Sequence, residues 1–99
     1  MSRLPMKEWD VVAHLRTPGD RVRYLNAAFE EAPDDPAFIL RVLGESARSQ
    51  GMTDVSRETG LGRESLYKSL STEGNPSFAT VLKVATALGL GFSVKRLNR

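Results

Sequence analysis

Residues 60–70 read GLGRESLYKSL, and five side chains in this run carry groups suited to an exposed polar partner: Arg63, Glu64, Ser65, Tyr67 and Lys68. The guanidinium of Arg63 has the fork that meets guanine O6 and N7 in a bidentate pair. Glu64 can accept from cytosine N4. It can equally serve the positive end of a helix dipole, or hold Arg63 in place. Tyr67 and Lys68, one turn further on, suit phosphate contacts or the rim of a groove, and a plain solvated face is the simpler alternative. Upstream, Thr53 with the backbone amides around it suits a phosphate at a helix start, whereas the charge of Asp54 beside it opposes one. Downstream, residues 71–77 read STEGNPS, and Asn75, Ser77 and Thr80 offer uncharged donors along a sugar–phosphate backbone or simply build a turn.

Such side chains read a duplex only if a rigid pair of helices presents them. Residues 52–70, MTDVSRETGLGRESLYKSL, have the pattern of a helix-turn-helix. That motif joins two short helices at about 90–120° through a turn of three or four residues. Gly60 stands where the turn needs a left-handed backbone, which glycine adopts cheaply. Val55 before it, and Leu61 and Leu66 after it, are the apolar positions that fix the interhelical angle, and Ser56 is small where the helices approach. The second helix lies in the major groove with its first residues, Gly62, Arg63, Glu64 and Ser65, against base edges. A helical hairpin with no nucleic-acid role has the same local pattern.

Proline, glycine and capping residues divide the rest. Asp10 can cap a short helix over residues 11–15. Thr17, Pro18 and Asp20 form a second start signal, followed by an apolar stripe of Val22, Leu25, Ala28 and Phe29 to about Ala32. Asp34-Asp35-Pro36 opens a third helix, with Ile39, Val42, Leu43 and Ala47 inward and Gly51 at its end. Thr53 can cap a helix over residues 54–59, and the next is expected over residues 63–70. Ser77 can cap a last helix with Phe78, Val81, Leu82, Ala85 and Leu88 facing inward, closed by Gly89 and Gly91. Residues 92–97, FSVKRL, have no helical stripe and read as a short strand. The fold expected is mostly α: a helix-turn-helix bundle of five to six helices with a short C-terminal strand. Residues 1–35 form a helical extension, residues 36–91 the core, and residues 92–99 the strand and a basic tail, in one structural domain.

With 99 residues, the chain buries only about two-thirds of its unfolded surface. The net charge of +2 hides an asymmetry: residues 1–36 hold five bases and seven acids, residues 37–99 nine bases and five acids. The basic part is the better candidate to meet phosphate. There is no cysteine, so no disulfide and no Cys-based zinc site. The single histidine, His14, has no evident catalytic partner. Gly60-Leu61-Gly62 and Gly89-Leu90-Gly91 lack the rest of a nucleotide-binding fingerprint. We expect neither an enzyme nor a cofactor or metal site. No apolar run approaches the ~20 residues of a membrane span, and MSRLPMKEWD has no signal-peptide core, which predicts a soluble, cytoplasmic protein. One recognition helix reads few base pairs, so a homodimer is expected, its contact supplied by residues 92–97 or by the helix from Ser77.

Three strings carry a wider likeness: GMTDVSRETGLGRESLYKSLS, EGNPSFATVLKVATALGL and FSVKRL. WDVVAHLRTPGDRVRYLNAAFEEA and DPAFILRVLGESARSQG before them extend it to about residues 8–97. The chain resembles the addiction-module antidote family, relatives of HigA-type antitoxins within the Xre (lambda-repressor-like) helix-turn-helix superfamily. The resemblance implies a small antitoxin that neutralises a co-encoded RelE/HigB-like ribonuclease toxin and represses their shared promoter, with Arg63, Glu64, Ser65, Tyr67 and Lys68 facing the DNA. Three positions depart from the wider pattern: Met52 where a phosphate-binding glutamine is common, Asp54 where a longer neutral residue is usual, and Gly62 in place of a serine-like N-cap. The toxin is expected to be basic, so Glu30, Glu31, Asp34 and Asp35, with Asp20, are candidates to meet it; a solubilising acidic face is the alternative. Trp9 is expected to pack on the bundle as a hydrophobic staple. A stand-alone regulator with no toxin partner is the other reading of the whole chain.

Overall fold

The computed structural model describes residues 8–98, and of Glu8 and Trp9 the backbone only, so the expected packing of Trp9 lies outside the described residues. The order is α1 (Glu8–His14), α2 (Pro18–Glu31), α3 (Pro36–Gln50), α4 (Met52–Thr59), α5 (Arg63–Ser69) and α6 (Phe78–Ala87). Helix α3 is the central element, with α1, α2 and α4 packed against it; α4 in turn meets α5 and α6.

The starts of α2 and α3 are written in their capping residues. The Thr17 hydroxyl accepts from the Asp20 N–H at 3.1 Å, and the Asp20 carboxylate accepts from the Thr17 N–H at 3.1 Å, so two otherwise orphaned donors are satisfied reciprocally. Asp35 caps α3 by accepting from the Phe38 N–H at 3.1 Å, and Pro36 follows at the first helical position. Ser77 does the same for α6 through the Thr80 N–H at 3.1 Å. Two expected caps are corrected: Asp10 lies inside α1, and Thr53 lies inside α4, whose N-cap is Gly51 with no side-chain bond.

The core is a single cluster. Val42, Leu43 and Ala47 of α3 meet Val55 of α4, Leu66 and Leu70 around α5, and Val84, Ala85 and Leu88 around α6. Two expected stripes are rotated. On α2 the buried line is Arg21, Leu25, Ala28 and then Ala32, while Val22 and Phe29 are exposed. The cause is polar: the Arg21 guanidinium donates to the Ser49 hydroxyl at 2.8 Å, and the Tyr24 hydroxyl donates to the buried Glu45 carboxylate at 2.5 Å. These partners on α3 turn residues 21 and 24 inward. Glu45, with Arg41 at 3.7 Å from its other oxygen, is a buried acidic residue in α3 that the apolar stripe alone does not announce. On α6, Phe78 is 71% exposed and Leu82 is also exposed, so the buried line is Val84, Ala85 and Leu88.

The expected strand at residues 92–97 is absent, and the described residues contain six helices and no strand. A strand exists only as part of a ladder, and among the described residues no backbone hydrogen bond joins residues 91–98 to anything else. This tail is held by side chains instead. The Phe92 ring meets the Phe29 ring edge-on at 6.0 Å between centroids, and Lys95 pairs with Glu30. Val94, between them, is 99% exposed.

Candidate nucleic-acid interface

Helices α4 and α5 are joined by Gly60-Leu61-Gly62, and Gly60 has φ 75° and ψ 10°, the left-handed conformation that costs a side-chain-bearing residue about 1–2 kcal/mol. The Gly60 N–H closes α4 onto the Ser56 carbonyl at 2.9 Å. The Ser56 hydroxyl then donates to the Leu61 carbonyl at 2.5 Å, which ties the outgoing chain to the helix it has left. The Thr59 hydroxyl adds a second tie by accepting from the Leu61 N–H at 3.2 Å. Val55 and Leu66 are both fully buried, and Leu61 packs at the edge of the core. The angle between α4 and α5 is therefore set by two buried side chains, one left-handed glycine and a serine small enough to sit in the crook.

With Leu66 pointing inward, α5 turns Arg63, Glu64, Ser65, Tyr67 and Lys68 outward, and all five are exposed. Gly62, the N-cap, is exposed and makes no side-chain cap bond. Thr53 is exposed on the first turn of α4. The charge of Asp54 behind it is compensated: Gln50 donates to one carboxylate oxygen at 3.1 Å and Arg57 pairs with the other. Met52 is buried, which explains why a long polar residue does not stand there. Asn75 is exposed in the loop after α5, whereas Ser77 and Thr80 are engaged with each other, hydroxyl to hydroxyl at 3.1 Å, in the cap of α6.

Two residues beside this surface lie outside the stretch that the sequence pattern singles out. Arg48, on the last turn of α3, places its guanidinium carbon 5.5 Å from the centre of the Tyr67 ring. No local motif marks it, because the two residues are brought together only by the packing of α3 against α5. Gln50 is a second such residue: it also donates to the Ala87 carbonyl at 2.9 Å and so ties the α3–α4 corner to the end of α6.

The acidic candidates sit elsewhere and differ among themselves. Glu31 and Asp34 are exposed at the end of α2 and in the loop after it. Glu30 is paired with Lys95 of the tail, and Asp35 serves as the cap of α3.

This arrangement is that of a small helical protein built around a helix–turn–helix pair with a polar outer face. Residues 5–96 match the family described as probable addiction module antidote protein, and the chain belongs to that family. An antidote family implies a toxin partner. Over 91 residues the chain is 44% identical to an uncharacterized protein of Haemophilus influenzae, covering 92% of each. No solved structure matches the chain. Among the described residues no helix is long and apolar enough to cross a membrane.

Proposed function

We propose that the protein is a DNA-binding antitoxin: a cytoplasmic, HigA-like member of the Xre superfamily that binds and neutralises a co-encoded RelE/HigB-like ribonuclease and, as a homodimer, represses the promoter they share. The observation that supports DNA binding is the turn at Gly60, which buries Leu66 and leaves Arg63, Glu64, Ser65, Tyr67 and Lys68 on one outward run of α5. Arg63 is the base reader, and Lys68, with Thr53 and Asn75, meets phosphates. Membership of an antidote family supports the toxin partner.

Two variants test the DNA half. Arg63→Ala is expected to cost about 1–3 kcal/mol on the operator and to relax base preference at one position per half-site. Lys68→Ala is expected to weaken all sequences alike and to lower the salt slope by about 1 per subunit. An Arg63→Ala protein with unchanged sequence preference in a titration overturns the assignment. For the toxin half, Glu31 and Asp34 are the acids to reverse, because Asp35 is a cap whose loss costs about 1 kcal/mol by itself. The double change to lysine is expected to abolish co-purification with the protein of the neighbouring reading frame while DNA binding is kept. Retention of the partner by that folded variant places the toxin on another face.

A further inference from the structure

We infer that Arg48 is a positioning residue for Tyr67 on the DNA-facing surface, fixing the ring so that the tyrosine hydroxyl reaches the sugar–phosphate backbone. The inference rests on the DNA-binding reading above and adds a residue from outside the helix-turn-helix to it.

The geometry begins at Gly44, one turn before Arg48 on α3. A Cβ at position 44 would stand 2.8 Å from the Leu70 carbonyl oxygen, so α3 and the end of α5 touch there, backbone to backbone. It would also lie 3.6 Å from the Arg48 Nη1, so the arginine runs back along α3 over the glycine. Helical side chains lean toward the N-terminus in this way. The guanidinium emerges over the Tyr67 ring, 5.5 Å from its centre.

Tyr67 is 39% exposed and lies three and four residues after Glu64 and Arg63, on the same side of α5. On a seven-residue helix, the guanidinium lying over this half-exposed ring is placed to hold its orientation. A guanidinium plane supplies this and a lysine ammonium does not, since only arginine combines charge with a flat stacking surface. A phenol held at a groove edge is a donor of the kind that fixes a protein's register on phosphates without reading sequence.

The test is a double-mutant cycle on DNA affinity, with the duplex immediately upstream of the protein's own gene and a scrambled duplex as probes. Arg48→Ala and Tyr67→Phe are each expected to weaken binding about three- to tenfold on both duplexes. The double variant is expected to be no weaker than the worse single, because Arg48 acts through the hydroxyl that Tyr67→Phe removes. Arg48→Lys keeps the charge and is expected to behave like Arg48→Ala. Circular dichroism establishes that each variant is folded at the titration temperature, and Arg48→Lys replaces Arg48→Ala in the cycle if the alanine variant is not. Single effects that multiply in the double variant overturn the positioning role alone, as does a lysine that restores full affinity. A wild-type protein that binds neither duplex at about 50 mM salt overturns the DNA reading and the role of Arg48 together.

Discussion

The α4–α5 pair and the α2–α3 seam pack side by side in one small bundle, yet they are held by opposite chemistries. Between α4 and α5 the glue is apolar and backbone: Val55 and Leu66 are fully buried, Gly60 turns the chain, and the Ser56 hydroxyl bonds a carbonyl five residues on. Across the α2–α3 seam the long-range side-chain hydrogen bonds run from Arg21 to Ser49 and from Tyr24 to Glu45, beside the apolar line of Leu25, Ala28 and Ala32. The first region resembles a rigid bracket that tolerates only small changes of shape. The second is a seam whose register depends on two specific hydrogen bonds, one to the buried Glu45 carboxyl and one to the Ser49 hydroxyl, so it matches one partner surface and penalises a slipped one. The proposed DNA contacts sit on the bracket, where geometry must be reproducible. The acidic residues Glu30, Glu31, Asp34 and Asp35 lie at the end of α2 and in the turn into α3.

The comparison can be broken first at its apolar end. Leu66→Ala removes a fully buried side chain from the joint of α4 and α5, and a loss of about 2–5 kcal/mol is expected in denaturant unfolding. Operator binding should fall with it even where the variant is still folded, because the angle of α5 is no longer set. A loss below 1 kcal/mol would mean that the bracket is not held by its core.

The polar end gives a smaller effect. Tyr24→Phe keeps the ring and removes one donor to the Glu45 carboxylate, so an unfolding loss of about 1–3 kcal/mol is expected. Operator binding by the folded variant should be unchanged, since the bracket is not touched. An effect on affinity as large as that of Leu66→Ala would show that seam and bracket are one mechanical unit.

The smallest effect lies at the start of α2 and depends on pH. The Asp20 carboxylate accepts from the N–H groups of Thr17 and Arg16, which hold its pKa below the ordinary carboxylate range, and Arg23 pairs with it. A carboxyl whose folded pKa is lowered contributes stability that is complete above its unfolded value and is lost as the pH falls through the folded one. The difference in thermal midpoint between wild type and Asp20→Asn is therefore expected at neutral pH and should shrink below about pH 4. A difference that persists unchanged into strong acid would show that the cap works through shape, not charge.

How far the fold could be read from the chain follows the same division. The helix-turn-helix was legible residue by residue because its determinants are local: Gly60, Val55, Ser56, Leu61 and Leu66 all lie within one short segment, and each acts on its near neighbours. The start of α3 at Asp35 and Pro36 was legible for the same reason. The face of α2 was not. Val22 and Phe29 look like core residues until Ser49 and Glu45, more than twenty positions away, claim Arg21 and Tyr24. The tail shows the converse case, a sequence with strand character and no ladder to join among the described residues, which settles on Phe29 and Glu30 instead.

The sequence by itself determined where α2, α3 and α6 begin, where α4 turns into α5, and which residues α5 would offer outward, because caps, glycine backbones and apolar spacing act over four or five residues. Only the tertiary structure decided which face of α2 is buried, that an acidic side chain lies in the core, and that Arg48 of α3 rests on Tyr67 of α5. Those choices are made by pairs of residues far apart in the chain. Their partners become neighbours only when the burial of the apolar core has brought the helices together.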